Sequence, residues 1–436
     1  MTKSLLSLFA CICSATVVLG SHNFQCPTTG RRLELNNSAE IGTKQQPPKL
    51  DGEQYRRRAK ARRRHGYLGG STKSSKKFFQ TTKSSKSSKS KSSTCKSSDD
   101  DERLECGNTY GSDARITLLG DLDCTGQITT EGGAAITLKD GAVLDCDGHT
   151  IQGGGEDETF NVTGVLLMGD AQVVNCEIAE FNIGIHVVGD ANFVRDATIY
   201  GNVGGGIKVE SDGCNAISNT DAPSNNGPGF DISGTGIVLL SDVSSIGNFN
   251  SDEFVEGLRI DTSGVTSTAR RHLLDKLEID PDASLTVVLD DATFSWNAGN
   301  GITTSGDSKL DLHLFGEIAL IGNIGEGMEL FATELSMTNL HEQTVISRNI
   351  LNGINLAANA EVLFGEYSET SICNHDGTDQ DGNDISDDIA GAGSFKLEDD
   401  GVVVCSTSTA ASVDGFSCDP DACGDRADEG VEVCIK

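Results

Sequence analysis

Four polar side chains of complementary chemistry recur through the middle of the chain. His186, Lys208, Asp231 and Arg259 follow one another at intervals of 22, 23 and 28 residues. Together they could remove a proton next to a carboxylate, with Lys208 or Arg259 neutralising the carboxylate and His186 acting as the base. Asp231 could hold Ca²⁺ or orient His186. The alternative is a solvated row of charges in which Asp231 pairs with Lys208 and Arg259.

These four residues occupy equivalent positions in a sequence repeat. Its unit is an asparagine, three residues, a glycine and an apolar–x–apolar triplet, as in Asn202-Val-Gly-Gly-Gly206-Ile-Lys-Val. The repeat glycines are 20–28 residues apart, except for one 44-residue interval that contains an insertion at residues 264–283. This period and the apolar alternation predict a parallel β-solenoid, with Asn and Gly in left-handed backbone at its corners. A leucine-rich repeat is the alternative, but its Leu-x-x-Leu-x-Leu pattern is absent.

The central residue of each triplet should point away from the solenoid core, because side chains alternate along a strand. With coils about 4.8 Å apart, the four polar groups would span about 14 Å. The predicted outward column reads Thr117, Thr137, Leu166, His186, Lys208, Asp231, Arg259, Thr303, Glu329 and Asn355.

Over residues 112–375, with an extension to residue 405 as the alternative, the repeats resemble the pectin-lyase-type β-helix family. The stretch 142–152, Ala-Val-Leu-Asp-Cys-Asp-Gly-His-Thr-Ile-Gln, is similar to a common first-coil sequence of that family. The resemblance implies an all-β fold, a right-handed single-stranded parallel β-helix of about ten coils and about 48 Å in length. Function stays open, because the family includes lyases, hydrolases, epimerases and non-catalytic binding proteins. Its lyases for acidic polysaccharides place catalysis on an outer sheet, where His186, Lys208, Asp231 and Arg259 would lie.

Signatures of two enzyme groups in the family are missing. No adjacent Asp pair is accompanied by the Gly-His-Gly and Arg-x-Lys signatures of polygalacturonases, and the Asp-Pro-His of alginate epimerases is absent. Asp145, Asp147 and His149 form a carboxylate–histidine group, but their place in the first-coil stretch indicates a structural turn. These observations favour a non-catalytic protein.

The charge of the chain is divided between two regions. Residues 22–98 contain 19 Lys and Arg against 4 Asp and Glu, a net charge of +15. Residues 99–436 contain 14 Lys and Arg against 61 Asp and Glu, a net charge of −47. With the +1 of Lys3, the two regions sum to the net charge of −31 of the whole chain. The basic arm is rich in Ser, Lys and Thr and is expected to be disordered, because it has too little apolar surface to offset its chain entropy.

Lysines recur in the arm as Lys-x-x-Lys within serine-rich sequence. This composition resembles the silaffin-like proteins of diatom cell walls, which implies binding to silica or to an anionic polymer. The residues that would bind are Lys73, Lys76, Lys83, Lys86, Lys89 and Lys91. A solvated linker and a nucleic-acid patch are the alternatives.

The first twenty residues predict secretion. Lys3 precedes an apolar run from Leu5 to Leu19, with small residues before a cleavage site near Gly20. A membrane anchor is the alternative, but the run is shorter than the ~20 residues of a membrane span. Twelve cysteines remain in the mature chain, and in a secreted protein they predict disulfides. Those near the C-terminus are Cys373, Cys405, Cys418, Cys423 and Cys434.

Two further kinds of site are suggested by short motifs. The acidic loop 376–388 fails as an EF-hand, but Asp379, Asp381 and Asp384 could bind Ca²⁺ loosely. No other cofactor is expected. Asn161 and Asn36 begin N-glycosylation sequons.

The sequence therefore predicts a signal peptide (1–20), a basic arm (21–105), a β-helix (106–375) and an acidic, Cys-rich cap (376–436). We expect a monomeric, secreted protein of a cell wall or biosilica, with no transmembrane segment and no nucleic-acid partner. Its arm would bind silica or an anionic matrix, and its solenoid would bind polysaccharide or cations. A lyase or epimerase acting on acidic glycans is the competing hypothesis, and an adhesive or interaction solenoid with no glycan preference is a third.

Overall fold

The computed structural model describes residues 104–418 apart from ten gaps, together with two strands nearer the N-terminus. The gaps are residues 112, 129, 156–160, 251–252, 264–283, 332–335, 366–367, 374–386, 399–400 and 406–407. The insertion predicted at 264–283 therefore lies outside the described residues.

The described residues form β-strands and no α-helix, which confirms the all-β prediction. In chain order the strands are β1 (Asn23–Gln25), β2 (Arg32–Glu34), β3 (Asn108–Tyr110), β4 (Arg115–Thr117), β5 (Leu122–Asp123), β6 (Ala134–Lys139), β7 (Val143–Asp145), β8 (Thr150–Gln152), β9 (Thr163–Met168), β10 (Gln172–Val174), β11 (Glu177–Ala179), β12 (Ile183–Gly189), β13 (Phe193–Tyr200), β14 (Gly205–Asp221), β15 (Phe230–Ile246), β16 (Leu258–Asp261), β17 (Leu285–Ser295), β18 (Ile302–Ser305), β19 (Leu310–Ile321), β20 (Met328–Leu330), β21 (Ser336–Leu340), β22 (Gln343–Ser347), β23 (Ile354–Leu356), β24 (Ala360–Phe364), β25 (Glu369–Cys373), β26 (Ile389–Gly391), β27 (Ser394–Leu397), β28 (Val402–Cys405) and β29 (Ser412–Asp414).

The strands from β3 onward pair in parallel, each with its counterpart in the next coil. They form three faces of a coil stack, as the predicted parallel β-helix requires. Face one comprises β3, β6, β9, β12, the first parts of β14 and β15, then β16, β18, β20, β23 and β26. Face two runs from β4 to β29, and face three from β5 to β28. Strands β1 and β2 form a separate antiparallel pair.

Coil stacking continues beyond residue 375, where the sequence placed the end of the β-helix. β26 pairs with β23, β27 with β24, and β28 with β25, and β29 adds a further strand. The last copy of the Asn–Gly repeat precedes these coils. The β-helix therefore continues beyond the last residue that the sequence repeat identifies.

The core is a narrow column of inward-facing apolar side chains in register from coil to coil. On face one, Phe230 lies between Ile207 and Leu258, and all three side chains are at most 1 % exposed. Each such side chain contributes roughly 1.5–3 kcal/mol by leaving water. Because every coil offers a similar set, the stack is held together uniformly along its length.

A ladder of buried asparagines runs along one corner of the stack. Its members are fully buried: Asn202, Asn225, Asn248, Asn297, Asn323 and Asn349. The side-chain amides of the first five donate to the Oδ1 of the asparagine in the next coil at 3.0–3.3 Å, and that of Asn349 donates to the Leu320 oxygen. The backbone N–H groups of the same five donate to the same oxygens at 2.8–3.2 Å. The asparagine of the sequence repeat is therefore a rung of this ladder.

The repeat glycine packs against the ladder. A Cβ atom on Gly327 would lie 2.3 Å from Cγ2 of Ile346, 2.6 Å from the Gly353 oxygen and 2.9 Å from Nδ2 of Asn349. Gly301 and Gly206 are similarly confined by the oxygen of the next repeat glycine and by a ladder amide. Glycine is required here because no side chain fits beside the asparagines.

The prediction that the repeat asparagine and glycine adopt left-handed backbone is wrong. That conformation belongs to the residue immediately before each ladder asparagine, where φ lies between 57° and 69°. These residues are Gly201, Ser224, Gly247, Trp296, Gly322 and Arg348. Their varied types explain why the sequence pattern did not reveal them.

Three disulfides join neighbouring parts of the described chain: Cys106–Cys124, Cys146–Cys176 and Cys405–Cys418. Cys373 is also disulfide-bonded. Such bonds form and persist in oxidising compartments, which is consistent with an extracellular location. Within the described chain, no helix has the length and apolarity needed to cross a membrane.

Substitution of Gly327 tests the packing between the repeat glycine and the ladder. Gly327→Ala should lower the free energy of unfolding by about 2–3 kcal/mol, because the added methyl overpacks a confined site. Gly120→Ala is the matched control, since its Cβ would meet nothing within 4 Å. Urea denaturation curves of the two variants would be compared with that of the parent. Equal midpoints for all three proteins would contradict the packing role.

Candidate functional site

The outward side of face one carries two adjacent columns of side chains. The strand register places His186, Lys208, Asp231 and Arg259 on successive rungs of one column, as predicted. A second column lies two residues further along each strand, on the same side of the sheet. We call both columns together the outer stripe: His186, Lys208, Asp231, Arg259, Thr303, Glu329 and Asn355 in the first, and Val188, Glu210, Ser233, Asp261, Ser305, Phe331 and Ala357 in the second.

The first residue predicted for this column was wrong. Thr117 pairs with Asp145 on face two, and Thr109 is the residue that pairs with Thr137 on face one. Each coil contains three strands, and the triplet around Thr117 has the same apolar alternation as a face-one triplet. The sequence pattern alone does not distinguish the two.

At the upper end of the stripe, His186 and Lys208 converge on Glu210. Lys208 Nζ is 2.6 Å from Glu210 Oε1, and His186 Nε2 is 3.3 Å from Glu210 Oε2. The second contact is an ion-pair distance without hydrogen-bond alignment, so Nε2 of His186 is buried with no hydrogen-bond partner. Burial lowers the pKa of His186, although Glu210 opposes the effect. A neutral imidazole in this position could accept a proton.

In the middle of the stripe, Arg259 forms a two-point ion pair with Asp231. Arg259 Nε donates to Asp231 Oδ1 at 3.0 Å, and Nη2 donates to Oδ2 at 2.7 Å. The Asp231 side chain is 19 % exposed and that of Arg259 is 43 % exposed, so the carboxylate is more shielded from water than the guanidinium. Asp231 therefore holds Arg259 and does not orient His186, the role suggested from sequence; Glu210 is the carboxylate beside that histidine. The predicted Asp231–Arg259 pair is present, whereas Lys208 pairs with Glu210.

At the lower end, carboxylates and amides form a second side-chain ladder at the position preceding the repeat glycines. Asn300 Oδ1 accepts the backbone N–H of Glu326 at 2.7 Å, and Glu326 Oε2 accepts that of Asn352 at 2.8 Å. Asn352 Oδ1 accepts the N–H of Asp387 at 2.8 Å. The same Asn300 donates to Glu329 Oε2 at 2.6 Å, which joins this ladder to the outer stripe.

Burial changes the protonation of two acids beside the stripe. It raises the pKa of Glu326 to about 7, and the nearby carboxylate of Glu329 adds to the effect. Burial also raises the pKa of Glu256, with Arg259 opposing the change. Both groups can therefore hold a proton at a higher pH than an ordinary glutamate.

The concavity beside the stripe is shallow. It has a volume of about 20 Å³ and is lined by Ile183, Gly204, Gly205, Ile207, Lys208, Pro228 and Asp231. Such a volume holds about one water molecule. This concavity is therefore too small to enclose a sugar ring.

A buried histidine pair lies on face two, away from the stripe. His313 Nδ1 is 3.1 Å from His341 Nε2, and His313 Nε2 is 3.1 Å from Asp311 Oδ2. His341 stacks on Phe315 with ring centroids 4.1 Å apart. Burial and the neighbouring His313 lower the pKa of His341 to about 4. The neutral His341 and its partner His313 fill space between adjacent coils.

The first-coil carboxylate–histidine group forms a turn, as expected. The backbone N–H of Asp147 donates to Asp145 Oδ1 at 3.0 Å, and that of His149 donates to the Cys146 oxygen at 2.8 Å. Asp147 and Gly148 have φ values of 49° and 79°. These hydrogen bonds give Asp145 and Asp147 a backbone role.

Of the two sequon asparagines, Asn161 is exposed and donates to Glu131 Oε1 at 2.9 Å. Several predicted sites lie outside the described residues. They are the arm lysines Lys73, Lys76, Lys83, Lys86, Lys89 and Lys91, the calcium candidates Asp379, Asp381 and Asp384, and Asn36, Cys423 and Cys434. Among the described residues, no group of three or more His, Cys, Asp or Glu side chains has a geometry suited to a metal ion.

Sequence reasoning missed Glu210, Glu326 and Phe331. Glu210 and Phe331 each follow a column residue by two positions, so the alternation along the strand could have revealed them. Glu326 directly precedes a repeat glycine, a position that the repeat treats as variable.

No protein-family model and no curated protein matches the sequence. Among solved structures, the chain is similar to the A-module of the mannuronan C-5 epimerase AlgE6 of Azotobacter vinelandii, with 14 % identity, a TM-score of 0.29, and coverage of 71 % of this chain and 91 % of that one. It is similar to the periplasmic alginate epimerase AlgG at 12 % identity and a TM-score of 0.35, covering 72 % and 79 %. It is also similar to the pectate lyase Pel9A at 14 % identity and a TM-score of 0.30, covering 70 % of each chain. These values do not transfer an activity or a site to this protein.

Stability as a function of pH tests the burial of Glu326. Its pKa is raised from 4.5 to about 7 in the folded protein, so its charged form destabilises the fold as pH rises through that range. Glu326→Gln should therefore gain stability relative to the parent between pH 4.5 and pH 7, on the order of 2 kcal/mol. Glu398→Gln, at an exposed position, is the control and should show little change. A Glu326→Gln difference that stays constant from pH 4 to pH 8 would contradict this assignment.

Proposed function

We propose that the protein is an extracellular polysaccharide-binding β-helix whose outer stripe holds an extended glycan. The observation that carries this proposal is a continuous row of polar groups, one per coil, on the open side of a parallel sheet. Repeated hydroxyl groups of a polysaccharide could each find a donor or acceptor at the coil spacing of about 4.8 Å. An open face suits a long polymer, which needs no enclosing pocket.

The geometry favours binding over catalysis. Both cations that could neutralise a substrate carboxylate, Lys208 and Arg259, are engaged with Glu210 and Asp231. A substrate carboxylate would have to displace these internal partners before catalysis. A binding surface has no such requirement, because paired side chains still offer hydrogen-bonding groups.

The basic arm is a separate part of the proposal. Its lysine array would attach the protein to silica or to an anionic matrix, leaving the solenoid to bind polysaccharide. The support for this function is the +15 charge and the Lys-x-x-Lys spacing. Fusion of residues 1–98 to a fluorescent protein in a silica-forming cell would test it: label in the cell wall is expected, and label that stays diffuse in the medium would refute it.

Binding can be tested by replacing stripe residues that are not in the core. The double variant Lys208→Ala, Asn355→Ala should lose about tenfold or more in affinity, since each lost hydrogen bond is worth roughly 1 kcal/mol. Co-sedimentation with insoluble polysaccharides would measure the change. Lys396→Ala, an exposed lysine on face two, is the control and should bind like the parent. Equal binding by all three proteins would exclude the stripe, and absence of binding by the parent would exclude the function.

A lyase or epimerase is the second candidate, favoured by the neutral His186 beside Lys208. His186 would take the proton next to a uronate carboxylate, and Lys208 or Arg259 would neutralise that carboxylate. Incubation with alginate, pectate and sulfated glycans, followed by the absorbance of unsaturated uronate, would detect a lyase. NMR of the treated polymer would detect an epimerase. Activity that survives in Lys208→Ala and His186→Gln would remove these residues from the mechanism.

A further inference from the structure

The charge balance of the outer stripe bears on the kind of glycan that it can accept. Its two permanent cations, Lys208 and Arg259, are each matched by one carboxylate within 3.0 Å. His186 sits in a buried setting that disfavours its charge. The upper and middle rungs are therefore close to neutral.

The lower rungs carry acids that no described cation matches. Glu329 receives a hydrogen bond from Asn300, and Glu326 receives hydrogen bonds from Asn352 and Asn355. All of these partners are amides, so the charge of Glu329 is uncompensated, whereas Glu326, whose pKa burial raises to about 7, carries only part of a charge at neutral pH. Asp261, on the adjacent column, adds a further acid, which interacts with the charge of Arg259.

A polyuronate laid along this face would meet net negative charge. Like charges a few ångströms apart repel each other, and more strongly at a partly shielded protein surface than in water. No unpaired cation among the described stripe residues offsets this cost. The whole body adds to the repulsion, because residues 99–436 carry a net charge of −47.

An aromatic ring stands beside these acids. Phe331 directly follows β20 and is two residues beyond Glu329, and because Leu330 between them is 2 % exposed, Phe331 lies on the outward side with Glu329. Its backbone N–H donates to the Thr304 oxygen at 3.2 Å, which keeps this residue in the coil pairing. The side chain is nevertheless 50 % exposed, unlike the aromatic residues of the core.

The neighbouring rungs of the outer stripe carry hydroxyl and amide groups together with Glu329 and Ala357. Thr303 and Ser305 occupy the previous rung, and Asn355 occupies the next one. An exposed ring bordered by a few polar groups suits a ligand with one apolar surface and many hydroxyls. The rings of neutral sugars have that character, with C–H groups on one face and hydroxyls around the edge.

We infer that the outer stripe accepts a neutral, hydroxyl-rich polysaccharide in preference to a polyuronate, with one sugar ring stacked on Phe331. Thr303, Glu329 and Asn355 would hydrogen-bond the hydroxyls of that sugar and its neighbour. This assignment rests on the proposed function and specifies the ligand class for the same surface. It argues against the acidic glycans of the lyase hypothesis.

Calorimetric titration of the full-length protein with hexasaccharides of equal length tests the inference. The neutral probes are cellohexaose, laminarihexaose, mannohexaose and xylohexaose, and the acidic probe is hexagalacturonate. At least one neutral probe should bind about tenfold or more tightly than hexagalacturonate at low salt, equivalent to about 1.4 kcal/mol. The difference should shrink as salt screens the acids.

Two phenylalanine variants locate the sugar. Phe331→Ala should weaken binding of the neutral probe by about tenfold with an unchanged unfolding midpoint, because an exposed ring contributes little to the core. Phe254→Ala, at a position that is 71 % exposed outside the stripe, is the matched control and should bind normally. Equal losses in both variants, or none in Phe331→Ala, would overturn the stacking site.

The remaining outcomes separate the two proposals. Tighter binding of hexagalacturonate than of every neutral probe would overturn the neutral-glycan inference while leaving the polysaccharide-binding function in place. If no hexasaccharide bound and insoluble polysaccharides were not retained either, the proposed function itself would fail.

Discussion

The asparagine ladder is the interaction on which the rest of the structure depends. Each rung uses one buried side chain to satisfy a backbone N–H and a neighbouring amide, so every coil is tied to the next at the same corner. An unsatisfied amide in that position would cost roughly 1–3 kcal/mol, and the rungs polarise one another along the stack. The ladder therefore fixes the register between coils. Small glycines beside it allow the coils to approach closely enough for those bonds to form.

Register in the core determines what appears on the surface. Because face-one strands are aligned residue by residue, polar side chains separated by more than twenty residues in sequence stand one coil apart. Their charges then interact mainly with one another. Glu210 lies within ion-pair distance of both Lys208 and His186, and Asp231 binds Arg259. The cations of the stripe are therefore neutralised by its own carboxylates, and acidic residues are in excess at its lower end. A surface of this kind is better suited to holding hydroxyl groups than to capturing carboxylates.

The fold was predictable because its signal is repeated. The spacing of asparagine, glycine and apolar triplets recurs many times, so the solenoid and the column from His186 to Arg259 follow from alternation and period alone. The pairing within that column was not predictable. Glu210 lies two residues from Lys208, and side-chain rotamers, which the sequence does not specify, decide which carboxylate each cation reaches.

The chemical role of the repeat residues was also beyond sequence reasoning. Asparagine and glycine favour left-handed backbone in general, yet here the preceding residue takes that conformation, and it can be Ser224, Trp296 or Arg348. The preference of asparagine and glycine for left-handed backbone is overridden here by hydrogen bonds between coils. The sequence of a single coil does not reveal those bonds. The same limitation hid Glu326, whose carboxylate accepts a backbone N–H from the next coil.

Carbene footprinting of the protein with a bound hexasaccharide would test the central claim that glycan lies along the outer stripe of face one. The method labels exposed side chains, and mass spectrometry then locates those shielded by the ligand. The account predicts shielding of Lys208, Arg259, Glu329 and Phe331, with no change at the exposed rings of Phe254 and Trp296. Shielding of Phe254 or Trp296 without any change along face one would contradict it.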